Sequence, residues 1–271
     1  MVYTIRKVSN YGTSNYIVAR TAIQVNKLLQ PISLDEKKKE KIFALFYLKI
    51  QPRLILCMEI SDRINRDLES INNELKEKGT KTQSNGKIVE VPHVYKLQED
   101  VETFLYNAKS VLRDLSGLFE IFFNKKFNHS RYHHILKWAK KKFGDKHPIP
   151  SLIEDNLTWL KDIVERRNAI EHPGNNSGYL HIRNIEFVDE INNPRFVAPT
   201  WYLNDYRPSL INCDLEIILR NLLEFSEILF ILCLATIETM IPLRFFEIPE
   251  EERDKSMPVR FGVTIDINDL K

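Results

Sequence analysis

Apolar residues recur along most of this chain at spacings of three and four, the period that places side chains on one face of an α-helix. The cleanest run is Val101, Phe104, Leu105, Ala108, Val111, Leu112, Leu115, Leu118, Phe119 and Phe122, an unbroken stripe that predicts one helix and one wall of a core. Upstream, Ile60, Ile64, Leu68, Ile71 and Leu75 mark a second helical face, closed by Gly79. Before it, Ser33 or Asp35 is placed to cap a long helix running towards Ile50, and Pro52 predicts a break or kink. A shorter basic helix is expected around Ser130 to Phe143, stopped by Gly144. Leu215, Ile218, Leu219, Leu222, Phe225, Leu229, Leu232 and Cys233 predict a long helix that opens near Asn212 or Asp214 and ends by Pro242.

The period changes in a few places. Val2 to Gln30 reads as a strand followed by a short helix, and Thr80 to Pro92, with Ser84-Asn85-Gly86, as a turn or small hairpin. From Gly178 to Leu203, Tyr179 to Val188 suggests a strand, Asn192-Asn193-Pro194 a turn, and Arg195 onward a second strand. This is a β-hairpin insertion over about 178–204. Val259 to Ile265 predicts an edge strand in a tail whose segment Glu250 to Lys255 is solvated. The expected fold is mainly α: a single domain over residues 1–271, a helical bundle with a small β-hairpin insertion and irregular terminal segments.

Composition supports this and narrows the setting. Glycine is scarce, 8 in 271 residues, which favours helices over a Gly-punctuated sandwich. Cys57, Cys213 and Cys233 are odd in number and show no CxxC spacing, which suits a reducing compartment better than a disulfide framework or a zinc ribbon. The first residues lack the apolar run of a signal peptide. The longest apolar run, Ile228 to Ala235, is well short of the ~20 residues a membrane span needs. The expectation is a cytoplasmic protein that does not cross a membrane. Formal net charge is only +2, so nucleic-acid binding would rest on a local patch.

The informative chemistry lies mid-chain, in Glu165-Arg166-Arg167-Asn168-Ala169-Ile170-Glu171-His172-Pro173-Gly174. Ser151-Leu152-Ile153-Glu154 is a capping box that predicts the start of its helix. The apolar face of that helix runs Ile153, Leu157, Leu160, Val164, and steps of four continue it to Asn168 and His172. Those two residues stand about 40° apart round the axis and share a face, which Arg167 can reach with its long side chain. Pro173 disfavours helical geometry at His172, so the helix is expected to end there. Arginine, amide and imidazole together supply a fixed positive charge, a hydrogen-bond donor and a proton-transfer group, the requirements of phosphodiester cleavage. One such trio is thin for catalysis. Two, related by a two-fold axis, make a cleft in which one imidazole takes the 2′-hydroxyl proton of RNA and another protonates the leaving 5′-oxygen. Arg167 would then stabilise phosphorane charge and Asn168 would orient phosphate or imidazole, with no metal or cofactor needed. A structural alternative uses the same residues locally: Arg167 pairs with Glu171 at i+4 and His172 caps the helix.

Arg167-Asn168-Ala169-Ile170-Glu171-His172, at a helix end in a mainly helical chain, resembles the Arg-x(4–6)-His motif of the HEPN superfamily, including the polar residue directly after the arginine. Arg166 also satisfies the spacing, but lacks the amide at the next position. The resemblance covers about Val94 to Pro173, plus the helix from Asn212, within a HEPN-like core of about 94–241. Residues 1–93, the hairpin and the tail have no counterpart in it. It implies a homodimer with a metal-independent endoribonuclease site at the dimer interface, of toxin or antiviral-defence type. An antitoxin or regulatory protein is a partner consistent with that implication; the alternative within the family is a catalytically inactive binding module for RNA, nucleotide or a partner protein.

A second candidate is Lys125 to Lys142, which holds seven Lys or Arg and no acid, with Phe127, Tyr132 and Trp138 interleaved. Arg131, Lys137, Lys140 and Lys141 are its candidate RNA contacts, with the aromatics able to stack on unpaired bases; DNA is not expected as a partner. The bland reading is a solvated outer face with Tyr132, Ile135, Leu136 and Trp138 turned inward. His129 and His133 are spaced as a metal pair, but no acid or cysteine nearby completes a site, and no metal is expected. Asp114 is a possible acidic neighbour of the motif, or else a solvent-facing or salt-bridged residue. A Gly-rich phosphate loop, a Gly-x-Ser-x-Gly elbow and a His-Glu-x-x-His pair are all absent, which argues against a nucleotide hydrolase, an esterase or a zinc protease.

Overall fold

The computed structural model describes residues 10–79, 82–83, 88–127, 129–174, 176–190 and 193–266. The stretch 1–9, which the expected amino-terminal strand would use, lies outside the described residues, as do Ser84, Asn85, Gly86 and Asn192 of the two expected turns. The chain is mainly helical with small antiparallel sheets. Its described residues form two compact units: one takes those up to Ile55, Ser110–Leu157 and those from Leu222 on, the other Leu56–Lys109 and Thr158–Asn221.

In the first unit, Asn15 caps the opening helix by accepting from the backbone N–H groups of Ile17 and Val18. That helix runs as α1 (Tyr16–Val18), a π-helical stretch Ala19–Ile23, and α2 (Gln24–Leu29). Asp35 precedes α3 (Glu36–Leu45), which continues through a second π-helical stretch, Phe46–Ile50, into α4 (Gln51–Lys78). The expected break at Pro52 does not occur. The π stretch supplies the reason: Gln51 N–H bonds back five residues to the Phe46 carbonyl, and this wider turn makes room for a proline ring that would clash in a regular α-helix.

The long stripe is buried as predicted from Val101 to Phe119, but it is carried by two helices, α5 (Leu97–Leu115) and α6 (Gly117–Phe123). Ser116 interrupts them, its hydroxyl donating to the Arg113 carbonyl at 2.6 Å and so competing with the backbone ladder. α7 (Tyr132–Phe143) turns Tyr132, Ile135, Leu136 and Ala139 inward and stops at Gly144, whose φ is +87°. Rings of Phe119, Phe123, Phe127, Trp138 and Phe143 meet edge-on or tilted, with centroids 5.1 to 6.3 Å apart. Carboxy-terminally, β8 (Leu243–Glu247) pairs antiparallel with β9 (Phe261–Ile265), as the expected tail strand requires. Gln24 Oε1 accepts from the backbone N–H groups of Arg260 and Phe261, each at 2.7 Å, and ties this hairpin to α2.

The helix that carries the motif, α8, spans Pro148–Glu171 and begins three residues before the expected capping box. Pro148 suits a first helical turn, and His147 Nδ1 accepts from Ile149 N–H at 3.2 Å in place of the serine cap. Ser151 instead donates to the His147 carbonyl.

In the second unit, α4 buries Ile60, Ile64 and Leu68 and ends at Gly79, with φ +68°. β1 (Thr82–Gln83) and β2 (Ile88–Val89) pair antiparallel. The β insertion is more elaborate than one hairpin. β3 (Leu180–Arg183), β6 (Thr200–Leu203) and β7 (Ser209–Leu210) form one antiparallel sheet, while β4 (Glu186–Glu190) and β5 (Asn193–Val197) form another. Asn184 divides the expected first strand. Its Oδ1 accepts from the N–H groups of Val94 and Ile185, and its Nδ2 donates to the Val94 carbonyl, all at 2.8 to 2.9 Å. α9 (Ile211–Leu234), the long apolar helix, begins in this unit, has its residues from Leu222 on in the first, and ends well before Pro242. Near its start, Asp214 accepts from the indole N–H of the fully buried Trp201 and from the Ser209 hydroxyl. Among the described residues no helix is long and apolar enough to cross a membrane.

Candidate functional site

The motif sits on the last two turns of α8, within the second unit. The buried face of that helix differs in phase from the one expected. Ile149, Ile153, Leu160 and Ile163 are wholly or almost wholly buried, whereas Val164 is half-buried. A further step of four from Ile163 reaches Arg167, so the arginine, not Asn168 or His172, extends the buried line. The Arg167 side chain is 15% exposed, Asn168 is half-buried and His172 is exposed.

Each polar group at this helix end has a defined neighbour. Arg167 Nη2 lies 3.2 Å from Glu171 Oε1, and its guanidinium stands 5.6 Å from the ring centroid of Tyr106 on α5. Lys109, one turn further along α5, donates to Asn168 Oδ1 at 2.8 Å and to Glu171 Oε2 at 2.7 Å. The hydrogen bond from Lys109, reinforced by the charges of Lys109, Arg167 and His172, holds the Glu171 carboxyl below the ordinary carboxylate range against the opposing effect of partial burial. The His172 backbone N–H closes the helix on the Asn168 carbonyl at 2.8 Å, and Gly174 follows Pro173 with φ +82°, turning the chain out of the helix where the sequence predicts an end.

Arg167 Nε is buried with no hydrogen-bond partner among the described residues. The same holds for Nη1 of the preceding Arg166, whose guanidinium lies 4.3 Å from a Trp201 ring centroid while its Nε donates to Asp162 at 2.8 Å. Two guanidinium groups on one turn therefore each keep an unmet buried donor. Such a donor is costly to leave unmade.

Tyr106 and Lys109 were not singled out by sequence. They flank the α5 stripe three residues apart, which is the one signal that they share a face beside it. A further cluster also went unread: an open pocket of about 460 Å³ behind Ala169, Ile170 and Pro173, with His181, Arg183 and Tyr202 on its sheet side. His181 stacks on Tyr202 with centroids 4.6 Å apart, and Arg183 Nη2 donates to the Tyr202 hydroxyl at 2.9 Å. Arg167, Asn168 and His172 do not line it.

In the first unit, the candidate RNA contacts on α7 separate. Lys137 and Lys141 are exposed on its outer face, and Arg131 is exposed just before its first turn. Lys140 instead pairs with Glu154 at 2.7 Å, which raises its pKa. Asp114 is salt-bridged and not solvent-facing, lying 3.1 Å from Arg53 Nε and 3.2 Å from Arg113 Nη2. His129 accepts from Arg131 N–H through Nδ1, with its ring 5.4 Å from that of His134. Cys57 and Cys233 are buried and Cys213 exposed, all as free thiols; burial pushes the Cys233 thiol up, away from reactivity. Comparison with protein-family models, with curated proteins and with solved structures finds no match to this chain.

Proposed function

We propose that this chain is a metal-independent endoribonuclease of HEPN type, acting on cytoplasmic RNA in a toxin or antiviral-defence role. The observation that carries the reading is the end of α8: a nearly buried Arg167 with an unmet Nε donor, followed by Asn168 and an exposed His172. The fixed guanidinium charge suits a phosphate that gains charge in the transition state. In the proposed step, His172 of one protomer accepts the proton of a ribose 2′-hydroxyl, whose oxygen attacks the adjacent phosphorus. The partner's His172 gives a proton to the departing 5′-oxygen. The products are a 2′,3′-cyclic phosphate and a free 5′-hydroxyl. Arg167 neutralises the phosphorane oxygens and Asn168 orients phosphate or imidazole. An antitoxin or regulatory protein would control such an activity.

One observation favours a second reading, a HEPN-like binding module without catalysis. Glu171 and Lys109 already occupy Arg167 and Asn168 within one chain, so the helix end has internal partners before any RNA arrives.

RNA cleavage by purified protein in EDTA decides between them. The expected result is chelator-resistant cleavage that falls by roughly 10² or more in His172→Ala, the scale of a general acid–base contribution, and likewise in Arg167→Ala. Undiminished cleavage in both variants overturns the assignment, and RNA binding without cleavage by the unmodified protein favours the second reading.

A further inference from the structure

The first unit carries an open hollow of about 1040 Å³ that no sequence motif announces. Its rim is basic and is assembled from two stretches of chain, the continuous helix of α3 with the π-helical segment that follows it, and α7. α3 supplies Lys38 and Lys41, the π-helical stretch Phe46–Ile50 supplies Lys49, and α7 supplies Lys142. All four are exposed, and none forms an ion pair among the described residues. The acids of the lining do not balance them: Asp114 is taken up by Arg53 and Arg113, which leaves Glu120 facing four lysines. The floor is aromatic. Phe122, Phe123 and Phe127 are half-buried along it, and Lys142 Nζ stands 5.4 to 5.9 Å from the ring centroids of Phe123, Trp138 and Phe143.

A lysine-rich helix usually means a solvated face. Here α7 brings Lys142 to the concavity that Lys38, Lys41 and Lys49 of one continuous helix flank, over rings that are partly uncovered. A π turn is an irregularity that often marks a functional position, and this one sets Lys49 into the rim. A basic rim with an aromatic floor suits a strand whose phosphates meet the lysines while its unpaired bases stack below. A duplex keeps its bases stacked on one another and offers none to the floor.

We infer that this hollow is a binding groove for single-stranded RNA. The choice of RNA as the strand rests on the ribonuclease reading; the charge and the aromatic floor do not. The groove differs from the outer face of α7, so Lys38, Lys41, Lys49 and Lys142, and not Lys137 and Lys141, are its principal phosphate contacts.

The test is fluorescence anisotropy with a labelled oligouridine in EDTA, using the full chain carrying His172→Ala so that the strand stays intact. Four phosphate contacts predict a slope of log affinity against log salt of about −3. Lys38→Gln/Lys41→Gln/Lys49→Gln is expected to weaken binding at least tenfold and to flatten the slope to about −1. Lys137→Gln/Lys141→Gln is expected to change either by less than about twofold. The three replaced lysines are exposed, so the thermal melt should be unchanged; Lys41→Glu alone carries the test should the triple variant melt early. Unchanged affinity and slope in the groove variants overturn the groove, as does absence of binding by the parent, or binding confined to duplex or to DNA. Loss of cleavage in His172→Ala with groove variants that bind normally sinks the groove and leaves the ribonuclease reading standing. Groove-dependent binding with no cleavage by the unmodified chain does the reverse.

Discussion

Glu171 joins both halves of the polar cluster at the end of α8, taking Arg167 on Oε1 and Lys109 on Oε2. A carboxylate whose pKa is lower in the folded than in the unfolded state stabilises the fold above its unfolded value, and loses that contribution as pH falls through the folded value. Glu171 is of this kind, held down first by its hydrogen bond from Lys109. Lys109→Met, which keeps the apolar stem and removes the charge, is therefore expected to cost about 0.2–1 kcal/mol at neutral pH, the range for a partly exposed ion pair. The difference from the parent should shrink as pH falls below the unfolded glutamate value of about 4.3 and on through the lower folded one. Urea denaturation across that range, with a carbon-13 titration of Glu171, measures both; a stability gap that stays constant down to pH 3 refutes the account. The Arg167–Glu171 pair was legible in the sequence because i and i+4 share a helix face. Lys109 was not, because it lies 59 residues from Asn168 and only the docking of α5 against α8 brings it near.

At the scale of elements, periodicity named the helices and missed their irregularities. The α5–α6 stripe keeps its apolar phase across Ser116, so nothing in the hydrophobic pattern marked the backbone break there. Pro52 predicts a break or kink because its ring clashes in an ordinary α-helix, and the π turn that accommodates it leaves no hydrophobic trace. The phase of α8 was ambiguous for a similar reason. Ile163 and Val164 are adjacent and both apolar, so either could head the final turns, and burial selects Ile163. Asn184 illustrates a contact that pattern cannot show: one side chain satisfies both backbone groups of Val94, ninety residues earlier, and docks the β insertion before α5. Asn184→Ala leaves that partly buried N–H and C=O without their partner. The expected cost is about 1–3 kcal/mol, read as a lower urea midpoint at constant slope. A change under about 0.5 kcal/mol, the ordinary scale of a surface substitution, would mean that water replaces the amide freely.

At the scale of the whole molecule, the mainly helical architecture with β elements after α8 was readable from composition and period, whereas the use of the α8 end depends on something a single chain does not display. Arg167 and His172 leave one α8 on different faces, the first nearly buried and the second exposed, so one copy offers a single proton-transfer group where the reaction needs a base and an acid. In the proposed mechanism a two-fold axis would bring a second His172 to the same phosphate. The proposal therefore predicts that activity belongs to the dimer. Specific cleavage should fall on dilution in step with the dimer fraction seen by sedimentation. Refolding His172→Ala chains together with unmodified chains should lower activity more than simple dilution does, because a mixed dimer holds one imidazole where the step needs two. At equal input and random association only about a quarter of the dimers keep both, so cleavage assayed in EDTA should fall to about a quarter. Activity at about half or more would show that a second His172 is not required. An active monomer at every concentration would remove the dimer from the mechanism and leave the α8 end to serve, with Glu171 and Lys109, as a local polar cap.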